Sequence, residues 1–376
     1  MIAGLLLGCT PAPPPPAALV VVVDRLRADE LGAYGNLPTD TPRIDALARR
    51  GTRYVRAYAP ATSVGPSRTS LMQGQLPPQH GHREDVDYPA TYGRWVSETG
   101  WAPCEIYLSV SDIDKGTFEL DKCVSKESEL VVVWVERSEA VPLSELDQMV
   151  GSIVSSWDEA RPESLGAFVG LVGSVSGLRY DGSILLTDDL LRVPLMVWGP
   201  GQPTDWQIDK VMSTADLGSI LAHKAGANVE GVPLPSGRAY HESTVGYSLF
   251  GARPLTGFTR ADGRYVEGVY GRWYPAQGET VRPYEDPQSE YPELAQDLSL
   301  IRAGIGEGKG LPPGTWRSGI DPADRVSAAV LVMKLRAALK KGRLEAANRI
   351  FGRLEKDVPA APVLEQLRQE MRAHSK

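Results

Sequence analysis

VVVDRLRADELGAYGNLPTDTPRIDALARRGTRYVRAYA, Val21 to Ala59, is the stretch from which the rest of the chain can be read. With the residues just before it, it opens as an apolar run rich in β-branched side chains, Ala17 to Val23, that closes on Asp24. A strand apolar at every position is buried on both faces, as in a parallel sheet. A polar residue at its C-terminal end stands where α/β folds place their sites. Thr41-Pro42 then predicts a helix through Arg50, with Thr as N-cap, Pro at the first position and Gly51 as the stop.

Working outward, Leu130 to Val135, Ala167 to Val172 and Val193 to Trp198 read as further buried strands. Leu143 to Trp157 has helical spacing between the first two, and Thr214 to Ala225 is predicted as a helix after the third. Strands alternating with helices argue for a mostly parallel sheet covered on both faces. From Gly237 to about Gly310 the pattern changes to short strands and turns, read as a small antiparallel part of the same domain. Pro312-Pro313-Gly314 reads as a linker. Beyond it Pro322 to Lys341, Leu344 to Lys356 and Pro362 to His374 predict three amphipathic helices. Ala338 to Pro359 resembles a single tetratricopeptide unit, which leaves two readings open: a partner-binding array, or a helical cap packed on the main domain. The domain plan is thus a leader at 1–9, a Pro-rich tether at 10–17, the main domain at 18–310 and a helical tail at 320–376.

A net charge of −7 and a pI near 5.4 leave no basic footprint for a phosphate backbone, so no nucleic-acid partner is expected. Leu6-Leu7-Gly8-Cys9 ends an apolar run and resembles a bacterial lipobox, with Cys9 as the lipid-bearing residue. The prolines from Pro13 to Pro16 suit an extended tether. No Lys or Arg precedes the apolar run, so a basic residue is expected to be encoded upstream. Cys104 and Cys123 remain as a possible disulfide, appropriate to an exported protein, or as two separate buried thiols.

Val21 to Ala59 also resembles the opening of a sulfatase-family domain, whose members carry a strand, a metal-binding Asp, an LRxDxLGxYG run and a TPxxDxLAxxGxxF helix. Pro60 to His82 is similar to the family's nucleophile segment, C/S/T-x-P-S-R/H-x-S-L-x-T-G, with its trailing HG. LLRVPLMVWGPG, Leu190 to Gly201, is similar to its RVPLIVxGPG strand, and Ala239 to Glu267 resembles sulfatase-like proteins with tetratricopeptide tails. The resemblance implies the alkaline-phosphatase-like α/β fold. This has a mostly parallel central sheet flanked by helices and a small antiparallel subdomain, to which this chain adds a C-terminal α-helical tail. It also implies hydrolysis of sulfate or phosphate esters by a nucleophile seated on a divalent cation.

The residues for that chemistry are mostly absent. Val64 stands at the family's nucleophile position, and an isopropyl group can neither attack nor bind a metal. Asp24 is retained, but Arg25 replaces a second Asp, and Val175 and Ser176 replace the Asp and His of an SDHG segment. Ser183 falls at the family's Lys position, and the Glu136-Arg137 loop lacks the family's His. Arg68 is retained and is expected to order its segment through hydrogen bonds to backbone. His80 and His82 read as surface-loop residues, and Asp188-Asp189 as a solvated acidic face.

The expectation is a sulfatase-like pseudoenzyme with no cofactor, anchored in the lipid bilayer through Cys9, with a binding or scaffolding role at the bacterial cell envelope. Thr10, unlike an inner-membrane retention signal, hints at the outer membrane. Its protein partner would dock on the C-terminal helices through an exposed apolar groove. The alternative is a metal-dependent hydrolase of sulfuric or phosphoric esters with an atypical site built from Asp24, Ser63, Arg68 and His80.

Overall fold

The computed structural model describes residues 16–36, 40–84, 91–110, 112–138, 141–174, 184–267, 271–275, 284–285, 293–306 and 320–374. Cys9, most of the proline tether, Val175, Ser176, Ser183 and the Pro312-Pro313-Gly314 linker lie outside the described residues.

The strands are β1 (Ala18–Arg25), β2 (Gly51–Tyr54), β3 (Ala57–Tyr58), β4 (Pro103–Ser109), β5 (Leu130–Glu136), β6 (Leu165–Val172), β7 (Leu195–Trp198), β8 (Trp206–Ile208) and β9 (Met212–Ser213), followed by β10 (Ala239–Ser243), β11 (Leu255–Arg260), β12 (Gly263–Glu267), β13 (Gly271–Pro275) and β14 (Tyr284–Glu285). The helices are α1 (Pro42–Arg50), α2 (Val64–Gln73), α3 (Pro77–His80), α4 (Arg94–Thr99), α5 (Ile113–Ser125), α6 (Leu143–Ala160), α7 (Asp188–Leu191), α8 (Leu217–Lys224) and α9 (Val245–Phe250). After them come α10 (Glu293–Ile305), α11 (Val326–Lys340), α12 (Leu344–Asp357) and α13 (Val363–His374).

The central sheet runs β4-β5-β1-β6-β7-β2-β8. The expected parallel order holds for β4, β5, β1 and β6, whereas β7 lies antiparallel to both β6 and β2. Buried apolar residues alone do not encode strand direction, so the sequence pattern could not have told this. The alternation of β1 splits its side chains between two cores. Leu19, Val21 and Val23 join Ile44 of α1 and Leu146 of α6 on one face, while Val20 and Val22 join Leu71 of α2 and Leu217 of α8 on the other. Burying these side chains contributes on the order of 1.5–3 kcal/mol for each large one. At Gly166 the Trp198 ring crosses so close that a Cβ would lie 2.1 Å from it, so only glycine lets β6 and β7 pack here.

A disulfide joins Cys104 on the edge strand β4 to Cys123 on α5, with the Cα atoms 5.9 Å apart. The antiparallel region after Gly237 forms a second sheet, β10-β11-β12-β13-β14. It also contains a helix that the strand-and-turn reading missed, α10, whose Leu294 and Ile301 pack on Phe258, Tyr265 and Trp273.

The tail folds as three helices, and of its two readings the structure has the packed cap. Val332, Leu335, Leu354, Leu364 and Leu367 share one cluster with Ile184 and with Phe250 of α9. Among the described tail residues Met333 is the one exposed large apolar side chain, and Leu331, Ile350 and Phe351 are partly buried. No helix among the described residues is long and apolar enough to cross a membrane.

Candidate functional site

The C-terminal ends of three neighbouring parallel strands, β5, β1 and β6, deliver Glu136, Asp24 and the Gly173-Ser174 turn to one edge of the sheet. This is where a parallel α/β sheet opens to ligands. At Gly173 a Cβ would stand 1.8 Å from the carbonyl oxygen of Asp189, and its N–H donates to Leu190 O at 2.7 Å. The chain leaving β6 is thereby pressed against α7, and Ser174 is buried.

Asp24 is held by Arg137, which sequence reading noted only for the histidine missing beside it. The Arg137 N–H donates to Asp24 Oδ1 at 2.8 Å. Its guanidinium reaches back to Arg25 O at 3.1 Å and grips Glu30 with both nitrogens, at 3.1 and 2.9 Å. Burial raises the Asp24 pKa above the usual carboxylate range, against the opposing pull of that N–H and of the Arg25 charge. Arg137 is 8% exposed, so this is a two-pronged clamp that ties β5 to β1 and to the turn after β1.

The segment entering α2 is laced to the second sheet. Ala61 bridges Glu242 of β10, Thr62 N donates to Glu242 O at 3.2 Å, and Thr62 Oγ1 donates to Ser243 Oγ at 3.0 Å. Ser67 Oγ donates to Ala61 O at 3.0 Å and closes the turn. Ser63 takes the N-cap position, but its side chain makes no capping bond. Val64, the first residue of α2, packs its side chain against two hydrophobic clusters. Beside them Arg83 and Glu242, both almost wholly buried, approach to 3.4 Å. Burial lifts the Glu242 pKa, while Arg83 and the Tyr240 hydroxyl, which donates at 2.9 Å, act against the rise.

Arg68 departs from its expected role. It orders its surroundings through side chains, with its guanidinium carbon 4.2 Å from the centre of the Trp134 ring and 4.9 Å from that of Tyr107. It pairs with Glu105 at 3.3 Å and also bonds the Tyr107 hydroxyl. A guanidinium stacked on two rings and paired with a carboxylate already has its charge met. Asp24, Ser63 and Arg68 share no hydrogen bond with one another.

The histidines are a correction as well. His80 and His82 are 8% and 5% exposed, not on a surface loop. His80 Nε2 bonds Ser70 Oγ at 2.9 Å, and His82 Nδ1 bonds Thr69 Oγ1 at 2.7 Å, which pins the HG turn to the back of α2. Burial, then the neighbouring His82 and Arg83, pushes the His80 pKa down to about 3, so the ring is neutral near pH 7. His241 is likewise pushed down to about 3, mainly by burial, and bridges Ala59 O and Thr259 Oγ1 at 2.8 Å each. Asp188 stays exposed, as read from the sequence, and pairs from there with the buried Arg264.

The fold implies a divalent cation at these strand ends, and such an ion wants about six oxygen ligands. The described residues there supply two carboxylates, Asp24, already bonded to a backbone N–H and followed by Arg25, and Glu136, which is exposed. They do not fit a metal. Nor do any three His, Cys, Asp or Glu side chains among the described residues come together as a ligand set.

Residues 16–100 match the family model described as Sulfatase. Steryl-sulfatase of Mus musculus is 41% identical over 71 residues, 19% of this chain and 11% of that protein. N-acetylgalactosamine-6-sulfatase of Sus scrofa is 31% identical over 128 residues, 34% of this chain and 23% of that protein. The chain therefore spans less than a quarter of the length of these curated relatives. Among solved structures, Ps i-CgsB in complex with k-i-k-neocarrahexaose superposes with a TM-score of 0.63 at 14% identity, covering 81% of this chain and 95% of that one.

Proposed function

Starting from a chain whose residues 16–100 belong to the sulfatase family and whose fold is the alkaline-phosphatase-like sulfatase fold, we propose a catalytically silent member of that family with a binding or scaffolding role at the bacterial cell envelope. The observation that carries this reading is Val64. The position that matches the family's nucleophile holds a partly buried alkyl group packed against the core, and no atom there can form a bond to sulfur or phosphorus. The Arg137 clamp on Asp24 and the stacked Arg68 support it, because each gives a former site residue a structural task.

The reading includes a lipid anchor at Cys9, with the domain held off the bilayer by the proline tether. A Cys104–Cys123 disulfide suits the oxidising compartment such an anchor implies. A protein partner would meet the polar outer faces of α11 to α13, since their apolar faces are committed to the domain.

The test is elemental analysis, with calorimetric titration of calcium, magnesium and manganese, on chain beginning after Pro16, together with turnover assays on 4-nitrophenyl sulfate and phosphate. Absence of bound metal, of binding heat and of turnover is expected. A stoichiometric metal lost on Asp24→Ala, with ester hydrolysis lost alongside it, would overturn the reading. The anchor is checked separately by palmitate labelling in a bacterial host, which Cys9→Ser should abolish.

A further inference from the structure

A second cleft, of about 610 Å3, opens between the segment leading into α7 and the β11–β12 hairpin. Asp24, Val64, Arg68 and Arg137 take no part in its lining, so it is separate from the strand-end site. Its volume falls in the range of about 300–1,000 Å3 usual for small-molecule sites.

Four arginines line it, and three of them are already engaged. Arg56 pairs with Asp209 at 2.7 Å. Arg260 is shared among Asp262, Glu293 and Asp297, at 2.5 to 3.2 Å. Arg264, with its side chain 9% exposed, pairs with Asp188 and donates to Leu186 O at 3.0 Å and Thr259 Oγ1 at 2.8 Å, while its guanidinium carbon lies 5.4 Å from the Tyr58 ring centre. Arg192 differs. Its Nε donates to Val55 O at 3.2 Å, which fixes the plane of the group, and no carboxylate among the described residues pairs with its two terminal nitrogens. Four arginines face two carboxylates, Asp188 and Asp209, in the lining, and against the effect of burial the charges of Arg264 and Arg192 lower the Asp188 pKa.

Apolar side chains, Leu185, Leu255, Val266 and Tyr274, also line the cleft and belong to one cluster. A fixed guanidinium fork matches a two-oxygen anion, and an apolar lining in the same cleft favours a ligand with a hydrocarbon body. We propose that this cleft is a binding site for a small organic oxyanion, a carboxylate or sulfonate carried on an aromatic or aliphatic body, with Arg192 as its counter-ion. The site stands independently of whether the strand ends are catalytically silent.

The test is calorimetric titration of p-toluenesulfonate and benzoate into the full 376-residue chain carrying Cys9→Ser, with benzamide and inorganic sulfate as comparison probes. Saturable one-to-one binding of both organic anions is expected, with each displacing the other. Losing the forked contact in Arg192→Gln should weaken binding about tenfold or more. Ala261 is exposed at the cleft mouth, so Ala261→Glu adds a repelling charge without disturbing the core and should weaken binding in the same direction. No saturable binding at millimolar concentration, or affinity unchanged in both variants, overturns the site. Benzamide or sulfate binding as tightly as the organic anions overturns the ligand class. Arg94→Gln, an exposed change outside the lining, serves as the control that leaves the affinity in place.

Discussion

The starts of α1 and α2 lie on opposite faces of one sheet, both inside the region that matches the sulfatase family, yet they are held in opposite ways. At α1 the first free N–H groups are satisfied by a carboxylate. Asp147 Oδ1 of α6 accepts from Arg43 N at 2.9 Å and Ile44 N at 2.8 Å, and Asp45 accepts from Ala33 N at 2.7 Å. At α2 the region is cross-linked by imidazoles: His80 on Ser70, His82 on Thr69 and His241 on Ala59 and Thr259. Its first residue is the apolar Val64. The polar residues kept around α1 hold backbone and serve the fold. Those kept around α2 tie side chains to one another and to the second sheet.

Acid should break the two regions apart most strongly. The unfolded chain protonates His80 and His241 near 6.5, whereas the folded chain resists until about 3, so falling pH favours unfolding throughout that window. The loss is about 1.4 kcal/mol per pH unit for each histidine. Urea midpoints at pH 7, 5.5 and 4 should fall steadily, and a flat profile would remove the imidazole half of the comparison. Asp216 works in the opposite sense. Burial pushes it up to about 6, so the folded state takes up a proton first and gains stability as pH drops from about 6 towards 4. Asp216→Asn should therefore steepen the acid loss.

At the other helix start, Asp147→Ala leaves two N–H groups without an acceptor beside a residue that is 4% exposed. A loss of about 2–3 kcal/mol in chemical denaturation is expected, with Asp147→Asn recovering part of it. If Asp147→Ala costs less than surface substitutions do, α1 is not held as described. Tyr34→Phe is a smaller test of the same frame. Its hydroxyl accepts from Leu195 N at 2.8 Å and lies 3.0 Å from Leu195 O, so removal should cost about 1 kcal/mol. The smallest effect belongs to Val64→Ser. It should change stability by less than about 1 kcal/mol at this partly exposed position, and give no measurable hydrolysis of 4-nitrophenyl sulfate. Turnover from that single change would show that the rest of the machinery is intact.

What could be read in the sequence follows the range of each interaction. The run to Val23 and the Thr41-Pro42 start are local signals, and the strand and helix appear there to within a residue or two. Thr41 itself makes no cap. Its hydroxyl lies 3.3 Å from the Asp45 carboxylate, and the capping carboxylate comes from Asp147, about a hundred residues on. Arg137 was visible only as the wrong residue in a loop, because its partners Asp24 and Glu30 are brought to it by strand pairing. His80 and His82 look solvent-facing in a Gly- and Pro-rich stretch and are buried by neighbours that have no sequence signature. The direction of β7 was hidden for the same reason.

The bond between Cys104 and Cys123 closes a loop over a sequence separation of 19 at the sheet's outer margin. Constraining such a loop in the unfolded chain is worth about 3 kcal/mol. Its placement matters more than its strength. β4 is an outermost strand, and an unpaired strand margin is a template on which neighbouring molecules can stack into fibres. Stapled to α5, β4 is held against fraying from that margin wherever no reductant reaches the bond.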